Sequence, residues 1–95
     1  AFQHYLKEHG QEPRLPGLED LNENQLFFLS YAMFWCQKIK PESLIENILT
    51  DVHSPAKIRV MGTVSSSDGF AQAFNCPPGT PYNPIPSDST KCQVW

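Results

Sequence analysis

The stretch Thr50-Asp51-Val52-His53-Ser54-Pro55-Ala56-Lys57-Ile58-Arg59 brings a histidine to the threshold of a predicted helix and an arginine about one and a half turns inside it. Ser54 fits the N-cap and Pro55 the first helical position, so His53 would stand where orphan backbone N–H groups and the helix dipole favour negative charge. A histidine so placed suits a developing oxyanion. Nothing else in the chain supplies a nucleophile with its base, a metal cage or a carboxylate pair. His4 and His9 have no H-E-x-x-H around them and read as solvated helix positions, and Asp51 reads as a residue that orients a loop or a neighbour. On residue types alone, His-Ser-Pro also suits a plain helix-capping turn, Arg59 a surface cation, and Phe34 and Trp35 ordinary core.

The elements that must position these side chains look unable to stand alone. A chain of 95 residues buries little surface without staples or a larger body around it. Its three cysteines, Cys36, Cys76 and Cys92, cannot all pair with one another. Leu26 to Trp35 is apolar on nearly every helical face, as expected of a helix enclosed on all sides in a large protein. That run is too short to span a bilayer, which takes about 20 apolar residues. Ala1 opens the sequence with neither methionine nor a signal-peptide pattern, so the start reads as an internal position. A formal net charge of -3 without a basic cluster argues against nucleic acid or an anionic membrane surface as partner.

The fold class read from these residues is all-α. Phe2, Tyr5 and Leu6 mark a first helix from Ala1 to His9, closed by Gly10 in the left-handed conformation. Pro13, Pro16 and Gly17 make a loop, after which Asn22 and Gln25 form a capping-box pattern opening a helix to about Lys38. Pro41 opens a third, with Leu44, Ile45, Ile48 and Leu49 as its apolar stripe, ending near Thr50. The helix after His53 carries Ile58, Met61 and Val64 on one face, and Ser65 to Asp68 breaks it and caps a fifth, whose Phe70, Ala71 and Phe74 face inward. The prolines beyond Cys76 leave an irregular tail. No segment has strand periodicity, and no linker divides the chain.

At this level of detail the chain resembles the C-terminal end of the catalytic domain of the neprilysin and endothelin-converting-enzyme family of zinc metallopeptidases. The stretches carrying the resemblance are Leu15-Pro16-Gly17-Leu18, Asn24 to Leu29 with Trp35-Cys36, Pro41-Glu42, Thr50 to Pro55, Ile58 to Thr63, Ala73-Phe74-Asn75-Cys76, Asn83-Pro84 and the terminal Cys92-Gln93-Val94-Trp95. They run collinearly over essentially all of the chain. Ile85 to Thr90 is longer than the family pattern, and Pro77-Pro78-Gly79 looks more like the endothelin-converting-enzyme branch.

The resemblance implies a mainly α segment of a thermolysin-like domain, residues 1–95 being part of one catalytic domain rather than an independent one. It implies a zinc-dependent endopeptidase that cleaves on the amino side of large hydrophobic residues, with Zn2+ held by residues outside this segment. His53 then resembles the family's oxyanion-stabilising histidine, Arg59 its arginine for the substrate backbone carbonyl, and Phe34 and Trp35 the wall of its hydrophobic pocket. Cys36, Cys76 and Cys92 would pair with cysteines outside the segment, in an extracellular or cell-surface ectodomain, membrane-anchored or secreted. The partners so implied are the remainder of the same peptidase and its peptide substrates, with a dimer left open. A catalytically inactive relative acting as a binding ectodomain would carry the same residues.

Overall fold

The computed structural model describes residues 1–84, and the order of their helices is α1 (Phe2–His9), α2 (Glu23–Phe34), α3 (Pro41–Thr50), α4 (Ala56–Ser65) and α5 (Asp68–Ala73). Side-chain caps open two of the described helices, α2 and α5, and proline stands at or just before the start of α3 and α4. Among the described residues there is no β-strand; Thr80 and Asn83 form an isolated antiparallel bridge in a turn. The mainly α expectation therefore holds. The rest of the proline-rich tail, with Cys92 and Trp95, lies outside the described residues.

The predicted capping box is present at α2. Asn22 Oδ1 accepts from the Gln25 N–H at 2.9 Å, and Gln25 Oε1 accepts from the Asn22 N–H at 3.0 Å, satisfying two donors that a helix start otherwise leaves orphaned. Gln25 Nε2 also donates to the Ala73 carbonyl at 2.9 Å, tying the start of α2 to the end of α5. Ser67 caps α5 by accepting from the Phe70 N–H, and Pro41 stands in the first turn of α3, both as expected.

Three details depart from expectation. First, α2 stops at Phe34 rather than near Lys38. The Trp35 N–H bonds to the Ala32 carbonyl and the Cys36 N–H to the Met33 carbonyl, so the last turn tightens to i→i+3 bonds just where apolar residues give way to Gln37 and Lys38. Second, Pro55 and not Ser54 is the N-cap of α4. Proline's ring fixes φ but leaves ψ free, and at φ −54° and ψ 147° the Pro55 carbonyl turns to accept from Ile58 and Arg59. Third, Gly10 has a positive φ of 82° with an extended ψ of −171°, a glycine conformation but not the left-handed helical one.

Helices α2, α4 and α5 pack on one another. Val64 and Ala71 are buried here, and Ala56 at the start of α4, with Phe28 edge-on to Phe70 at 5.2 Å and Phe70 against Phe74 at 4.8 Å. Helix α1 leans on α2 through stacked Phe2 and Phe27. Much of the apolar patterning finds no cover here. Met33 is 67% exposed and Leu49 78%, and Ile45, Ile48 and Ile58 are also exposed. Of the predicted inward face of α4 only Val64 is buried, and Phe74 stays partly exposed. The Cα radius of gyration is 16.0 Å, against about 12 Å for a compact domain of this length. These helices are arranged as a layer more than as a closed core.

Candidate functional site

The link between α3 and α4 is short and internally bonded. Asp51 caps the end of α3, its N–H donating to the Asn47 carbonyl at 2.8 Å. One carboxylate oxygen, Asp51 Oδ1, then accepts from the His53 N–H at 2.8 Å and lies 2.9 Å from His53 Nδ1. This is an Asx-type turn extended to the side chain two residues on. An ionised carboxylate only accepts, so Nδ1 carries the proton of that bond and Nε2 is left to face a ligand, donating when the ring is protonated. Asp51 therefore orients the imidazole, as the sequence suggested.

The two backbone and ring hydrogen bonds from His53, with the nearby His53 and Arg59 charges adding to them, hold the Asp51 carboxyl below the ordinary aspartate range. A depressed value means that the charged carboxylate stabilises the folded turn. That contribution is complete above the unfolded value of about 3.9 and disappears as pH falls through the lower folded value. The His53 amide resonance, followed by NMR through an acid titration of the protein containing this chain, should shift with a midpoint below 3.9. A midpoint at or above that value would contradict the turn.

Arg59 is fixed from several sides. Its Nε donates to the Ser54 carbonyl at 2.9 Å, which is what the carbonyl of the displaced cap residue does instead of starting the helix. Its Cζ lies over the Trp35 ring, 4.6 Å from the centroid. Its own carbonyl accepts from Thr63 Oγ1 at 2.7 Å and from the Tyr31 hydroxyl at 3.4 Å. The α2–α4 packing thus sets the position of the guanidinium.

His53, Arg59 and Trp35 line one cleft of about 340 Å³, together with Asp51 and the amide side chains of Gln37 and Asn47. Phe34 is not part of its wall; it is 79% exposed and meets Trp35 edge-to-face at 5.1 Å. Trp35 Nε1 is buried with no hydrogen-bond partner among the described residues. His4 pairs with Glu8 and His9 stacks on Tyr5, both on α1 and outside the cleft. Cys36 and Cys76 are free thiols among the described residues. No group of three histidine, cysteine or acidic side chains is placed to hold a metal ion among the described residues. No helix among them is long and apolar enough to cross a membrane.

The sequence did not disclose Gln37, Asn47, the Ser54 carbonyl or the Tyr31 hydroxyl as parts of this arrangement. Only the Asp-x-His spacing carried a usable signal, because an aspartate commonly bonds the backbone two residues on.

The chain is 48% identical to endothelin-converting enzyme 1 of Bos taurus and 46% identical to neprilysin of Homo sapiens, in each case over the whole of this chain and 12% of the relative. It is 46% identical to neprilysin-11 of Caenorhabditis elegans, over 11% of that protein. The chain thus spans about an eighth of the length of these relatives. With the profile of peptidase family M13 matching residues 1–92 as well, the chain belongs to peptidase family M13.

Proposed function

We propose that this chain is the C-terminal segment of the catalytic domain of a zinc-dependent metalloendopeptidase, and that it supplies the oxyanion-stabilising and substrate-anchoring side chains. The observation that carries the reading is the meeting of His53 and Arg59 in one cleft, with the imidazole held on Asp51 through Nδ1. In that geometry the protonated ring offers Nε2–H to the negative charge that develops on the scissile carbonyl oxygen. Arg59, held by Ser54 through Nε, keeps its terminal N–H groups for a backbone carbonyl of the bound peptide. Trp35, with Phe34 beside it, contributes apolar surface for a large side chain after the cleavage site.

Zinc would be held by residues outside this segment, in keeping with the lack of a metal-ligating cluster among the described residues. The uncovered faces of α2 and α3 fit the rest of the same domain as their partner. Cys36 and Cys76 join cysteines outside the segment, in an oxidising, extracellular or cell-surface setting. Mapping peptides from a non-reduced digest of the complete protein should find both linked to sequences absent from this chain. A peptide joining Cys36 to Cys76 would contradict that assignment.

The test of the function is hydrolysis by the complete protein. It should cleave peptides before large hydrophobic residues, lose that activity to a chelator and regain it with Zn2+. Binding of the same peptides without cleavage, in metal-replete protein, would make it an inactive binding relative instead.

A further inference from the structure

We infer that Trp35 is a positioning residue for Arg59, its indole face acting as the platform that aims the guanidinium into the cleft. The inference rests on the substrate role proposed for Arg59 and goes beyond the apolar wall assigned to Trp35. The guanidinium is held through two different features. Its Nε donates to the Ser54 carbonyl at 2.9 Å, and its Cζ lies over the Trp35 ring, 4.6 Å from the centroid. A single Nε bond leaves rotation about its axis, and the cation–π contact with the ring restricts it. That contact is with the charge of the guanidinium and takes none of its N–H donors as a conventional hydrogen bond.

Trp35 itself is well fixed for this task. It caps α2 on a tightened turn, with its N–H bonded to the Ala32 carbonyl at 3.1 Å. Phe34 abuts it edge-to-face. It also borders an apolar cleft with Ile39, Leu44 and Ala56. Its Nε1 bonds nothing among the described residues although it is buried. The ring face is what the residue presents to Arg59.

A double-mutant cycle in the complete protein separates platform from wall. KM and kcat would be measured for one peptide with phenylalanine after the cleavage site, in wild type, Trp35→Leu, Arg59→Ala and the double variant, with Trp35→Phe alongside. The expected result is that Trp35→Leu raises KM about 3- to 10-fold more in the presence of Arg59 than in its absence. Trp35→Phe, which keeps an aromatic face and lacks the N–H, should recover most of that loss with kcat little changed. Equal effects of Trp35→Leu in both backgrounds would make Trp35 a wall only and overturn the inference. So would Trp35→Phe failing as badly as Trp35→Leu. Wild-type constants for Arg59→Ala would remove the substrate role of Arg59 itself and the platform with it, an outcome distinct from additivity.

Discussion

Replacing His53 by alanine in the complete protein should lower kcat about 10²- to 10³-fold and leave KM within a few-fold of wild type. The asymmetry follows from when the interaction exists. A ground-state carbonyl draws little on a cationic donor, whereas the tetrahedral oxyanion draws on it strongly, so the lost bond is lost mainly in the transition state. His53 is also exposed and sits in a short turn, so its removal should cost little stability, and thermal unfolding beside the kinetics would show that. Asp51→Ala should give a smaller fall in kcat, because it frees the ring from its 2.9 Å bond without removing it. A higher KM with kcat unchanged in His53→Ala would mean that the residue binds ground-state substrate instead.

Arg59→Ala should place its loss chiefly in KM, by about 10- to 100-fold, as expected for a hydrogen bond from a charged donor to a carbonyl present throughout the reaction. Affinity for competitive peptide inhibitors should fall in parallel. Arg59→Lys keeps the charge but loses the planar fork, the Nε bond to Ser54 and much of the fit to the Trp35 face, so it should recover little. Kinetic constants near wild type for Arg59→Ala would withdraw the assignment. A collapse of kcat with KM intact would move Arg59 from substrate anchoring to transition-state stabilisation.

Local structure was largely legible because local rules produce it. Asn22 and Gln25 announce the start of α2, Ser67 that of α5, and Pro41 that of α3, each through bonds or dihedral limits reaching only a few residues. The start of α4 was misplaced for an equally local reason. Ser54 is a good capping residue by type, but the following proline took the cap position and left the Ser54 carbonyl to Arg59. The end of α2 slipped because apolar periodicity fades gradually into Cys36 and Gln37, and the tightened turn that stops the helix has no sharp residue signal.

The site was legible in its members more than in its geometry. His53 and Asp51 are close in sequence, so their bond is a property of one turn. Trp35 caps the end of α2 and Arg59 sits on α4, and their contact depends on how α2 packs against α4, which the Tyr31 bonds to the Arg59 carbonyl and Thr63 help to set. Nothing in composition or spacing carries that information. Phe34, next to Trp35 in sequence, does not line the His53–Arg59 cleft, since consecutive residues do not share a helix face.

The central claim is that His53 binds charge that appears only in the transition state. Its most direct test is the inhibition constant of a peptide carrying a tetrahedral phosphoryl group in place of the scissile carbonyl, measured on the complete wild-type protein and on His53→Ala. This constant should rise by about the same factor as kcat/KM falls, near 10²-fold or more. An analogue that binds both proteins equally while kcat/KM drops would contradict it.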